Sequence, residues 1–140
     1  MRILVVGPSW IGDAILAQPL FKLLHARHRD LGLDVLAPAW TLPVLKRMPE
    51  VRRAILNPFG HGKVKLGGRR ELGHNLRAEG YEQAIVLPNT FKSALVPFFA
   101  DIPLRTGFRG EMRWGLLNDV RSLDEHALPL MAHRYAALAG

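Results

Sequence analysis

No cysteine occurs among the 140 residues. Disulfides, thiolate metal sites and thiol nucleophiles are therefore excluded, and the composition suits a reducing compartment. Long hydrophobic runs are missing as well. The apolar start Ile3-Leu4-Val5-Val6 stops at Gly7-Pro8, too short for a signal peptide. The stretch from Ala94 to Leu104 is broken by Pro97, Asp101 and Pro103, so no segment is expected to span a bilayer. Acids are scarce: 12 Asp and Glu stand against 19 Lys and Arg, for a net charge of +7. That balance favours an anionic partner, whether nucleic acid, a phosphorylated metabolite or an acidic membrane surface. Apolar residues make up 49% of the chain, which argues against disorder, and the length suffices for one domain with its own core. Internal repeats, low-complexity tracts and a clear linker are absent.

Hydrophobic periodicity supplies the element pattern. Arg2 to Val6 reads as a buried strand ending in a glycine turn. Asp13 to Arg27 reads as a helix whose apolar face is Ile15, Leu16, Leu20, Leu23 and Leu24, kinked or shortened by Pro19. Further strands are expected at Leu33–Ala37, Arg53–Leu56, Gln83–Leu87 and Leu104–Phe108. Helices are expected at Thr41–Arg47 with Thr41 as N-cap, at Arg69–Glu79 after a glycine-rich loop, at Phe91–Ala100 capped by Asn89 or Thr90, and at His126–Leu138. A loop with Gly107, Gly110 and Gly115 is expected to run to about Asp124. Strands alternate with helices and no hairpin signal joins them. The fold class is thus α/β, a Rossmann-like parallel sheet with helices on both faces.

In such a sheet, ligands bind along the edge formed by the carboxyl ends of the strands. The loops expected there carry Asp13 after the first strand; His61, Lys63, Lys65, Arg69 and Arg70 after the third; Asn89, Thr90, Lys92 and Ser93 after the fourth; and Arg109, Glu111, Arg113 and Trp114 after the fifth. Such cations can hold phosphates or carboxylates by charge-assisted hydrogen bonds. Motifs for several other chemistries fail in the first loop. Gly7 and Gly12 have P-loop spacing, but Asp13-Ala14 stands where Lys-Ser/Thr is needed. The second glycine of a dinucleotide fingerprint is missing, and Ser9 lacks the glycine two residues on that a nucleophile elbow requires.

Asp13 has two readings, which are compatible. As a cap or first-turn residue it satisfies orphan amides around Ile15 and Leu16. As a general base it takes a proton from a hydroxyl as that oxygen attacks an activated carbon. Single surface cations are usually only solvated, so the cluster Lys63, Lys65, Arg69 and Arg70 outranks any lone one. His25 and His28 could share a helix face, but no third ligand accompanies them, and no metal site is expected. Trp10 and Trp114 read as core or rim packing, with sugar stacking as the alternative.

Four stretches carry a more specific signal: ILVVGPSWIGDAILAQPL, LAPAWTLPVLKRMPEV, GHGKVKLGGRRELGHNLR and VLPNTFKSALVPFFADIPLRTGFRGEMRWGLLNDVR. Through them the chain resembles the ADP-heptose:lipopolysaccharide heptosyltransferases over nearly its whole length. The resemblance implies the N-terminal half of a two-domain B-type glycosyltransferase. Residues 1–140 would receive the acceptor, the inner core of lipopolysaccharide, while a C-terminal domain, absent from this chain, would bind ADP-heptose. It further implies inversion at the anomeric carbon, neither metal nor cofactor, and Asp13 in the position of the catalytic aspartate. Lys63, Lys65, Arg69, Arg70, Asn89, Lys92, Arg109 and Arg113 would meet acceptor phosphates and acid sugars. The implied setting is cytoplasmic, peripheral to the inner membrane. Because the match stops at Gly140, the chain alone is expected not to transfer heptose.

Two other classes compete. A basic nucleic-acid-binding α/β module fits the charge, but the aromatics are few and scattered, without paired stacking positions. A nicotinamide or flavin oxidoreductase domain fits the fold class, but the broken glycine fingerprint counts against it.

Overall fold

The computed structural model describes residues 1–8, 11–58, 66–88, 92–108, 117 and 119–121. Its strands are β1 (Arg2–Val6), β2 (Gly32–Ala37), β3 (Arg53–Leu56), β4 (Gln83–Val86), β5 (Leu104–Phe108) and β6 (Asp119–Arg121). They form one six-stranded sheet in the order β3-β2-β1-β4-β5-β6, and every pairing is parallel. This is the Rossmann order. The strands expected from the sequence are present to within one residue at either end. The sixth lies in a segment expected to be loop. Asp119-Val120-Arg121 has no apolar run to mark it, and only backbone pairing with β5, Thr106 opposite Asp119, makes it a strand.

Side-chain alternation sends each central strand into two cores. Ile3 and Val5 of β1, Leu33, Val35 and Ala37 of β2, and Ile85 of β4 face one side. Leu4 and Val6, Leu36, and Ala84 and Val86 face the other. Strands buried on both faces read as unbroken apolar runs, as these do. The first face is covered by α1 (Ile11–Leu16), α2 (Gln18–Arg27) and α3 (Leu42–Lys46). The second is covered by α4 (Leu66–Leu76), a 3₁₀ turn at Arg77–Glu79, a 3₁₀ turn at Lys92–Ala94 and α5 (Leu95–Phe99). Helices thus lie on both faces. Gly73 of α4 packs directly on α5: a Cβ there would stand 2.6 Å from Phe99 Cβ and 2.9 Å from the Ala100 nitrogen.

The helices differ from expectation in instructive ways. The first breaks at Ala17, because Pro19 has no N–H to give the Ile15 carbonyl. Its buried face is Ala14, Ala17, Leu20, Phe21 and Leu24, whereas Ile15, Leu16 and Leu23 are exposed. Thr41 occupies the N-cap position of α3, yet its hydroxyl makes no cap bond and instead donates to the Pro38 carbonyl at 3.0 Å. The helix expected from Arg69 starts three residues earlier, at Leu66, and takes in the exposed Gly67 and Gly68. The helix expected from Phe91 is a 3₁₀ turn followed by α5, which places Pro97 in the first α-helical turn, where its missing N–H is harmless. The expected helix at 126–138 lies outside the described residues.

The amino-terminal edge of the sheet holds a network with no counterpart in the sequence reading. Asp34 of β2 is fully buried. Its carboxylate accepts from Arg52 Nε at 2.9 Å and Nη2 at 2.5 Å, and from the Tyr81 hydroxyl at 2.5 Å. Burial alone would raise its pKa, but the hydrogen bonds from Arg52 and Tyr81 and the nearby Arg52 and Arg53 charges outweigh it and hold the group below its ordinary value. Burial, and then the bond to Asp34, push the Tyr81 hydroxyl up. Glu79 bridges Arg2 at 3.4 Å and Arg53 at 3.3 Å and completes the cluster.

Candidate active site

The strand order reverses between β1 and β4, since β1 leads on to β2 on one side and neighbours β4 on the other. The connections leave in opposite directions there: α1 lies over one face, and the 3₁₀ turn and α5 lie over the other. This divergence opens a crevice outside the carboxyl ends of the strands, where ligands of doubly wound sheets bind. Backbone bonds past the strand ends firm the rim. Gly7 donates to the Leu36 carbonyl at 2.8 Å, Asn57 to Ala37 at 2.8 Å and Leu87 to Val6 at 3.1 Å. Gly7 is closely packed at this exit: a Cβ there would stand 3.1 Å from Val35 Cγ1.

Asp13 stands in the first turn of α1, immediately beyond that rim. Its carbonyl accepts from the Ala17 amide at 3.1 Å, which carries the helical ladder toward α2. The side chain is half-buried, and no hydrogen bond or ion pair among the described residues engages its carboxylate. The capping reading reduces to a first-turn position without a side-chain bond. That leaves a half-buried carboxylate in the first turn of the helix that follows β1. Its helical flank is opposite the one that carries the exposed Ile11 and Ile15.

The expected cations divide by element. Arg69 and Arg70 lie in α4, within its first two turns, and not in a loop. Arg70 is exposed. Arg69 is 3% exposed, and burial lowers its guanidinium pKa. Lys92 opens the 3₁₀ turn that follows β4, across the switch point from Asp13. Lys63, Lys65, Asn89, Arg109 and Arg113 lie outside the described residues, as do His61, Trp10 and Trp114. Ser93 reaches back to donate to the Pro88 carbonyl at 3.2 Å and ties this turn to the end of β4.

Trp40 was not singled out in the sequence, yet it is half-exposed at the rim after β2. The turn that holds it is firm, because both the Thr41 amide and hydroxyl bond the Pro38 carbonyl. The sequence cue was present, a tryptophan in a proline-bounded turn directly after a strand. Another unremarked group is a polar ladder across β4, β5 and β6. Gln83 Nε2 donates to Thr106 Oγ1 at 3.0 Å, and Thr106 donates to Asp119 Oδ2 at 2.9 Å. Among the described residues, no group of three or more His, Asp or Glu is arranged to hold a metal ion. No described helix is long and apolar enough to cross a membrane.

With this geometry in hand, the chain can be set beside known proteins. The sequence profile of glycosyltransferase family 9 (heptosyltransferase) matches residues 69–140. Lipopolysaccharide heptosyltransferase 2 of Escherichia coli K12 is 62% identical over 99% of this chain and 40% of that protein. Lipooligosaccharide heptosyltransferase 2 of Haemophilus influenzae is 50% identical over the same shares. The solved structure of E. coli ADP-heptose lipopolysaccharide heptosyltransferase II superposes with a TM-score of 0.92 at 58% identity, covering all of this chain and 40% of that one. The resemblance read from the sequence thus narrows to the second heptosyltransferase. The chain spans about 40% of the length of the curated relatives it matches.

Proposed function

The chain belongs to glycosyltransferase family 9, and from that premise we propose that it is the acceptor-side domain, residues 1–140, of an inverting heptosyltransferase. The donor is ADP-heptose, bound by a second Rossmann-like domain across the crevice. The acceptor is the inner core of lipopolysaccharide. Asp13 removes the proton from the acceptor hydroxyl. That oxygen forms a bond to the anomeric carbon from the side opposite the nucleotide. The bond from that carbon to the ADP oxygen breaks, and ADP leaves with the electron pair. Attack from the opposite side inverts the centre, and no step requires a metal or cofactor.

The observation that carries this reading is the half-buried Asp13 carboxylate, unengaged among the described residues, beyond the central strand of the sheet. In this scheme Arg70 and Lys92, with Lys63, Lys65, Asn89, Arg109 and Arg113, hold acceptor phosphates and acid sugars through charge-assisted bonds. Arg69, 3% exposed within α4, is too buried to touch that ligand directly and stands outside this set. The enzyme works on the cytoplasmic side in peripheral contact with the inner membrane, where a lipid-anchored acceptor is presented. The test uses an enzyme of the relatives' full length. Asp13→Asn should lower kcat by roughly 10²–10⁴-fold, the range for loss of a general base, with acceptor KM nearly unchanged. Activity within a few-fold of wild type would reduce Asp13 to a first-turn residue. The 140-residue chain alone should not turn over, and robust transfer by it would overturn the two-domain assignment.

A further inference from the structure

The helical layer formed by α1, α2 and α3 has an unusual outer surface. From Ala14 to Arg29, and again from Val35 to Pro49, the sequence contains no Asp or Glu. The helices bury Ala14, Ala17, Leu20, Phe21, Leu24 and Leu45 against the sheet, so the remaining positions turn outward. Large apolar side chains are left there in water: Ile15 is 51% exposed, Leu16 40%, Leu23 39% and, at the rim, Trp40 48%. Lys22, Lys46 and Arg47 are exposed on the same layer and form no ion pair among the described residues. Of the acids that bound these stretches, Asp30 is exposed in the turn after α2 and the others are withdrawn. Asp13 is half-buried, and Glu50 is half-buried with its Oε1 accepting from Gln18 Nε2 at 2.7 Å. The opposite layer also exposes Leu66 and Phe98, but its charge is mixed: Arg70, Glu71, His74 and Asn75 put both signs and neutral polar groups on α4.

We propose that the outer face of α1–α3 is the surface by which this domain rests on an anionic lipid bilayer. Aliphatic side chains and a tryptophan interleaved with unpaired cations suit the bilayer interface. There, apolar groups reach the acyl boundary while Lys and Arg meet acidic headgroups. A nucleic acid would satisfy the cations but leave Ile15, Leu16 and Leu23 in water. The proposal deepens the membrane contact inferred above by naming the face and the lipid charge, and it rests on that reading.

The test is co-sedimentation of the 140-residue chain with vesicles of phosphatidylcholine plus phosphatidylglycerol, and with phosphatidylcholine alone. Binding should favour the anionic vesicles and weaken as salt rises. The triple variant Lys22→Gln, Lys46→Gln, Arg47→Gln should lower partitioning roughly a hundredfold, at about fivefold per cation. Ile15→Ser with Leu23→Ser should remove the salt-resistant part of binding. Asn75→Asp with Ala78→Glu, on the opposite layer, should change it little. All positions are exposed, and circular dichroism checks that each variant folds. If the triple variant binds like wild type, the face is wrong although membrane contact survives. Loss in the glutamine variant with none in the serine variant would mean a surface for a polyanion and overturn the lipid assignment. If wild type ignores anionic vesicles at low salt, both this face and the membrane contact fall, while the transferase reading is judged separately by Asp13→Asn.

Discussion

Removing the Asp34 carboxylate tests the network that locks the amino-terminal edge of the sheet. In Asp34→Ala the Tyr81 hydroxyl, 5% exposed at the residue level, loses its hydrogen-bond acceptor inside the core. Orphaning such a group costs about 1–3 kcal/mol. Arg52 loses its bidentate partner as well, but its side chain is 36% exposed and can turn to water or Glu79, so that loss is only about 1 kcal/mol. The sum is about 3 kcal/mol, which for a domain of this size lowers Tm by roughly 10 °C. Adding Tyr81→Phe removes the orphaned hydroxyl, so the double variant should be more stable than the two single effects predict, by about 1 kcal/mol or more. The assay is urea unfolding followed by far-UV circular dichroism, with all four proteins measured in one buffer. Strict additivity, or an Asp34→Ala cost under about 0.5 kcal/mol, would show that these contacts are not coupled as the geometry requires.

The same network fixes two pH limbs. Asp34 is held below its ordinary value of 3.8, so its contribution is complete above that pH and is lost as pH falls through the depressed value. The stability gap between wild type and Asp34→Asn should therefore close in acid. Tyr81 is raised above its ordinary 10.0, so its contribution is present below pH 10 and lost at higher pH, a decline that Tyr81→Phe should flatten in alkaline melts. Gly73→Ala forces a methyl to 2.6 Å from Phe99 Cβ, and overpacking between α4 and α5 should cost about 1–3 kcal/mol by denaturant midpoint. Thr106→Val takes from Gln83 its acceptor and from Asp119 a donor, and should cost about 1–3 kcal/mol, with faster amide exchange in β6. In the full-length enzyme, Asp13→Glu should retain more kcat than Asp13→Asn, because a carboxylate survives although displaced by a methylene.

Much of the architecture was legible because its causes are local. Apolar runs such as Ile3–Val6 and Ala84–Val86 can hide both faces only inside a parallel sheet, and their alternation with helical segments determined the class. Asp13 was legible for the same reason: a carboxylate at the start of the helix after the first strand must stand at the carboxyl edge. The network of Asp34, Arg52 and Tyr81 was not legible. A lone Asp in Leu33-Asp34-Val35-Leu36 gives no hint of its partners until the residues leading into β3 and β4 are gathered at the same end of the sheet.

The sequence by itself determined a parallel α/β domain, its basic character, its family and the one acid at the start of the first helix. Tertiary structure alone decided which flank of each helix faces the sheet. Ile15, Leu16 and Leu23 are as apolar as Leu20 and Leu24, and helical spacing admits either face. The small Ala14 and Ala17 let the backbone approach the sheet, so the larger residues were turned outward. Pairing with β5 likewise made a strand of three residues that carry no strand signal. Both outcomes arise from contacts between residues distant in the chain, which no local window contains.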